Sequence, residues 1–268
     1  MKKLILLIST ISILLYACKD ENIIKTPKLI NTQATSDHTT AERIFNDVGI
    51  IIEAGFNTNK KIEDCPKYTF INSNNSDIDT MIIDFGNRDC LYYGKLRKGK
   101  ILVNYTNRFL DSLAVITNTF DNYYVNNKLV NGERIVTNQG RNSNGNIWFT
   151  IDVNNASISN SIGTINWESN RIREWVNGQN TLSILDDQYK ITGKASGNGV
   201  NGNTFTMRIT DTLNVDFGCI NSCIIKSGSA KITPYGYQDR IINYGDSLCD
   251  CNIDVNINGI IYPLVLGN

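Results

Sequence analysis

From Lys61 onward apolar and polar residues alternate with a period of two, the mark of strands that bury one face. Ile147, Phe149, Ile151 and Val153 alternate with Trp148, Thr150 and Asp152; Phe205, Met207, Ile209 and Leu213 stand out among Thr204, Thr206 and Arg208; Ile253, Val255 and Ile257 alternate with Asn252, Asp254 and Asn256. Six Asn-Gly pairs punctuate this region, at 131–132, 144–145, 177–178, 198–199, 201–202 and 258–259. Asn-Gly accepts the positive φ that two-residue hairpins require. Only four prolines interrupt the chain. The pattern predicts an all-β domain over 61–268, a long antiparallel meander of roughly a dozen strands curled into a barrel or a sandwich. Before it, Ala41, Ile44, Phe45, Val48, Ile52, Gly55 and Phe56 share one helical stripe. Thr39-Thr40-Ala41-Glu42 has the form of a capping box, so an amphipathic helix is expected within 39–58, from about Ala41 to Ala54.

A second apolar pattern lies at the start. Lys2 and Lys3 precede an almost unbroken apolar run from Leu4 to Leu15, and Ala17 sits just before Cys18. The run is shorter than the ~20 residues a membrane-spanning helix needs and has the layout of an export signal over 1–17. Leu15-Tyr16-Ala17-Cys18 resembles the bacterial lipobox, which implies acylation of Cys18 as the mature N-terminus; Tyr16 is larger than the usual occupant of its position. Two or more acyl chains hold a protein on a bilayer stably. Lys19-Asp20-Glu21 resembles the charged signal that directs Bacteroidota lipoproteins to the outer face of the outer membrane, a periplasm-facing orientation being the other outcome. Residues 18–38, polar and with Pro27, are expected to form a flexible tether.

Composition removes several functions. Basic and acidic side chains number 26 each; without Lys2 and Lys3 the count is 24 against 26, a formal charge of −2. No basic excess exists to neutralise phosphates, so nucleic acid is not an expected partner. No glycine-rich loop follows a strand and opens a helix, so no nucleotide or other cofactor is expected. The single histidine, His38, falls before the first periodic element, which argues against triad and catalytic zinc chemistry. With Cys18 assigned to lipid, Cys65, Cys90, Cys219, Cys223, Cys249 and Cys251 make an even set in an exported chain, read as three disulfides. Chain position favours Cys65 with Cys90 and two bridges among the other four.

From Phe70 onward the chain resembles an uncharacterised family of Bacteroidota outer-membrane lipoproteins. The resemblance rests on Ile83-Asp84-Phe85-Gly86 before Cys90, Gly99-Lys100-Ile101 with Tyr105, and Phe120-Asp121-Asn122-Tyr123-Tyr124-Val125. It continues through Gly132 with Thr137-Asn138-Gln139-Gly140, Trp167 with Arg171-Ile172-Arg173-Glu174-Trp175, Ile191-Thr192-Gly193 with Ser196-Gly197, and Tyr244-Gly245-Asp246 with Cys249-Asp250. It implies the address and an all-β fold, and pairs Cys65 with Cys90 and Cys223 with Cys249. Cys219 and Cys251 are additions to the family pattern, forming a third bridge; Cys219–Cys249 with Cys223–Cys251 is the alternative.

Trp167, Ser169, Arg171, Arg173 and Trp175 share one strand face. Guanidiniums between indoles form a cation–π ladder, either stiffening an exposed sheet or serving, with Trp148, as a binding strip for a glycan or an envelope protein. The remaining acid–base candidates are Asp186-Asp187, Glu168 with Glu174, and Asp246 with Asp250; a glycosidase needs its carboxyls about 5–10 Å apart. Asn72 to Asp79 offers oxygen donors suited to calcium but lacks the EF-hand glycine and glutamate, so no metal site is expected. A non-catalytic binding or structural module is the first expectation, with no catalytic residues assigned; a carboxylate-based glycoside hydrolase is the alternative.

Overall fold

The computed structural model describes residues 32–57, 65–71, 78–107, 109–181 and 183–266. The export signal, Cys18 and most of the expected tether lie outside the described residues, as does the larger part of the Asn72–Asp79 segment. Helix α1 spans Gln33–Phe56. It begins about two turns before Ala41, so Gln33 to His38 are helical and not tether. Thr39 is no cap; its hydroxyl donates to the Thr35 carbonyl at 2.8 Å. Ile50, Ile51 and Ile52 are all buried, as are Ala41, Phe45 and Val48. Buried residues fall on every side of the helix, the acids Glu42, Asp47 and Glu53 among them, so it is enclosed and not laid against one surface.

The enclosure is one antiparallel sheet. Its strands are β1 Lys67–Ile71, β2 Asp79–Asp84, β3 Cys90–Tyr92, β4 Lys95–Tyr105, β5 Val115–Val125, β6 Lys128–Arg141 and β7 Ile147–Ser159. It continues with β8 Thr164–Asn177, β9 Gln188–Asn198, β10 Thr204–Asp216, β11 Ile225–Pro234, β12 Arg240–Asp246, β13 Asn252–Ile257 and β14 Ile260–Val265. Each strand pairs with its sequence neighbour, except that β3 attaches only to β4, which also pairs with β2. The sheet is not closed into a barrel: β1 and β14 are its two edges. The helix fills the interior that side chains fill in a small closed barrel. Side chains of β1, β2, β5, β6 and β8 all reach it: Tyr68 and Met81 at Gly55, Arg134 at Gly49, Phe120 and Trp167 on Phe45.

Curling so many strands around one helix takes local bends, and register shifts provide them. They interrupt β4–β5 between Lys98 and Lys100, β6–β7 between Asn131 and Glu133, β7–β8 between Val153 and Ala156, and β9–β10 between Arg208 and Leu213. Such bulges bend a strand and raise its twist. This corrects one sequence expectation. Asn131-Gly132 is not a hairpin but a bulge inside β6; Gly132 has φ 116°, and a Cβ there would come within 2.6 Å of the Ala156 Cα. Asn258-Gly259, with φ 53° and 85°, does form the tight turn between β13 and β14. The β5–β6 turn is made by Asn126 and Asn127, both at positive φ without a glycine.

Three disulfides join Cys65 to Cys90, Cys219 to Cys249 and Cys223 to Cys251. The last two are the alternative pairing, not the family-derived Cys223–Cys249 with Cys219–Cys251. Together they pin the β10–β11 connection to the β12–β13 connection, and the Cα separations of 5.3 and 5.1 Å suit this arrangement. Unreduced peptide mapping should recover a 219–249 and a 223–251 peptide; a 223–249 peptide would overturn the pairing. Closing the 65–90 loop is worth about 3 kcal/mol by chain entropy.

Candidate functional site

The expected Trp–Arg strip lies inside the molecule. On β8 the odd positions face inward, and Trp167, Ser169, Arg171, Arg173 and Trp175 are all buried. Trp148, half-buried on β7 and paired opposite Glu174, is on the other face of the sheet. The strip is therefore neither a surface stiffener nor a binding surface. Its physical reason is three acids on the enclosed helix, Glu42, Asp47 and Glu53, which receive the inward arginines. Glu42 and Glu53 are eleven residues apart, close to three full turns. They fall on the same side and meet β8, while Asp47 points to the opposite side and meets β4.

Arg171 Nη2 donates to Glu42 Oε1 at 2.8 Å, and the Tyr244 hydroxyl donates to Glu42 Oε2 at 3.3 Å. His38, placed outside the fold by the sequence reading, is fully buried: Nδ1 accepts the Trp167 indole N–H at 3.2 Å, and Nε2 lies 3.2 Å from Glu42 Oε2. Arg97 spans both Asp47 oxygens at 2.5 and 2.9 Å, with Lys95 at 2.9 Å and the Tyr123 hydroxyl behind it. Burial disfavours these carboxylates, but Arg171 and His38 hold Glu42 well below the carboxylate range, and Arg97 with Lys95 lowers Asp47. Arg173 donates to Glu53 at 2.7 Å and lies 4.4 Å from the centre of the Tyr189 ring. Arg134 packs against Gly49, where a Cβ would come within 2.7 Å of its Nη2. Burial and the nearby Arg173 push Arg134 down to about 10. Glu42, Asp47 and Glu53 are each paired with a buried arginine, while Arg173 Nε and Nη2 and Asp187 Oδ1 are buried without a hydrogen-bond partner. The cavity beside Glu42 and Tyr244 measures about 20 Å³, room for roughly one water.

All but one of the candidate acids are likewise engaged, the exposed Asp246 being the exception. Glu174 accepts from the Asn142 and Asn146 amides at 2.8 Å, Glu168 from the Asn155 N–H at 2.8 Å, and Asp250 from the Asn252 N–H at 3.1 Å. Asp186 takes the Thr181 hydroxyl at 2.9 Å. Asp187 is buried with its Oδ2 3.2 Å from the Tyr189 hydroxyl, which also lies 3.3 Å from Glu53 Oε2. Burial and the Glu53 charge push Asp187 up to about 7. Among the described residues no three of His, Cys, Asp or Glu gather as metal ligands.

A roomy concavity lies on the outer face, across β8 to β11. A groove of about 750 Å³ is lined by Glu168, Asn170, Ser196, Thr206, Thr210 and Thr233, with Lys194, Arg208 and Lys231. It adjoins a second hollow of about 590 Å³ that shares Glu168, Ser196, Thr206 and Thr233 and adds Asn166, Asn198 and Tyr235. Tyr235 is 83% exposed. Strand register sorts these side chains into rows: Glu168, Ser196, Thr206 and Thr233 face one another in one row, Asn170, Lys194, Arg208 and Lys231 in the next. Asn170 donates to Asp152 at 2.6 Å, and Lys231 pairs with Asp239 at 2.6 Å. Sequence reading missed this site, because each side chain is an ordinary polar position of its own strand and only the register brings them together. No protein-family model, curated protein or solved structure matches this chain.

Proposed function

We propose that the chain is an exported outer-membrane lipoprotein of the Bacteroidota kind, anchored through Cys18 and facing the cell surface. In this reading its β domain is a non-catalytic module that binds glycan in the outer groove. The address draws its support from the lipobox-like segment, from the resemblance of the chain beyond Phe70, and from all six remaining cysteines lying in bridging pairs, a pattern of oxidising compartments. The observation that carries the binding role is the groove itself. Beside its cations its walls carry hydroxyls and amides that match a hydroxylated polymer, and Tyr235 offers an exposed ring at one end. Among the described lining residues it holds one carboxylate, Glu168, whereas glycoside hydrolysis takes two. The two acids raised by burial, Asp37 and Asp187, are each 3% exposed and beyond a substrate's reach. These facts favour binding over hydrolysis.

A glycan array probed with the soluble Cys18→Ser protein tests the binding role. Tyr235→Ala should weaken the bound signal about tenfold, the order of a 1–1.5 kcal/mol aromatic contact; an array with no bound glycan would refute the role. Labelled palmitate should appear on the wild-type chain in its host and be absent from Cys18→Ser; equal labelling would refute the anchor.

A further inference from the structure

We infer that the polymer taken by the outer groove is acidic, a polysaccharide bearing carboxylate or sulfate groups that lie along the cations Lys194, Arg208 and Lys231. The inference rests on the groove being the glycan site. Lys194 on β9 stands directly opposite Arg208 on β10, and Arg208 stands directly opposite Lys231 on β11. All three side chains point outward into the groove. Like charges placed directly opposite in a sheet work against folding. Lys231 is offset by Asp239, which also accepts from Thr233 at 2.7 Å. Lys194 and Arg208 have no acidic partner among the described residues, and Asn170, the next residue in the row, is already engaged with Asp152. A bound anion relieves the crowding, and a planar guanidinium accepts a carboxylate or sulfate by two parallel N–H bonds.

The row covers three strands, roughly 10 Å from end to end at the spacing of sheet strands, and the hydroxyls of Ser196, Thr206 and Thr233 form the row beside it. An anion line flanked by hydroxyl partners fits a chain of acidic sugars. A lipid headgroup would leave its acyl chains against threonine and asparagine. A nucleic acid would need stacking platforms for its bases, and Tyr235 is the one exposed aromatic among the described lining residues.

The test measures binding of the soluble Cys18→Ser protein to polygalacturonate and chondroitin sulfate, beside dextran, single-stranded DNA and phosphatidylglycerol vesicles, at low and high salt. Binding of one or both acidic polysaccharides is expected, weakening about tenfold or more at high salt as exposed charges are screened, with dextran unbound. Arg208→Thr and Lys194→Thr should each lower that affinity about tenfold while leaving the thermal midpoint unchanged or higher, because each removes a like-charge neighbour. Equal binding of dextran, with no loss in Arg208→Thr, would overturn the acidic assignment and leave the glycan role standing. Preference for DNA or vesicles, or binding to none of the probes, would overturn both.

Discussion

Replacing Asp47 by alanine is expected to cost about 3–5 kcal/mol, read as a fall in the urea midpoint at unchanged slope. The loss arises because Arg97 is fully buried and both of its Asp47 bonds vanish, leaving a buried guanidinium with only the Tyr123 hydroxyl and the Tyr92 carbonyl. Lys95, which also bonds Asp47, loses its partner at the same stroke. For a domain whose whole stability is of order 5–15 kcal/mol, this single change takes a large share. The double replacement Asp47→Leu with Arg97→Met should recover a large part of it, since the buried guanidinium goes with its carboxylate, leaving only the partly exposed Lys95 and the Tyr123 hydroxyl without their former partners. A double variant no more stable than Asp47→Ala would show that packing, and not charge pairing, sets the cost.

Acid is expected to unfold the domain, with the loss beginning below about pH 4, where unfolded carboxylates take up protons. Glu42 and Asp47 titrate lower in the folded state than in the unfolded one. Their stabilisation is therefore fully present above the unfolded values and is lost as pH falls through the folded ones. Asp187 acts with the opposite sign. Its folded value near 7 lies above the unfolded one, so its contribution is present at low pH and is lost as pH rises from about 4 to 7. Asp187→Asn should flatten that neutral decline and leave the acid limb in place, as followed by circular dichroism across pH. An unchanged neutral limb would remove Asp187 from the account.

The strands were legible because a period of two survives any local accident: Phe149, Met207 and Val255 fall inward as their alternation requires. The direction of the β8 face was not. Trp167, Arg171 and Arg173 share a face by arithmetic alone, but arginine in an alternating strand reads as solvent-facing. Arg171 and Arg173 turn inward because Glu42 and Glu53 wait on the helix, as Asp47 does for Arg97 on β4. A usable signal was present in Ile50-Ile51-Ile52, a run no one-sided helix needs, interleaved with those three acids. The early start of α1 was hidden for the same reason. Asp37 and His38 are buried polar residues, so hydropathy shows no stripe where the interior itself is polar. The outer groove depends on pairing register, set by the bulges between Arg208 and Leu213 and between Ile209 and Asp211, which one sequence does not reveal.

The enclosed helix also dictates the order of assembly. It is the first of the described elements to be synthesised, yet Glu42 receives its last partner, Tyr244, from a strand 202 residues downstream. Contacts so distant in sequence make folding slow, and until β12 emerges the helix keeps a charged side uncovered. A truncation ahead of β12 would not remove a dispensable end; it would withhold the final wrap from the centre of the molecule.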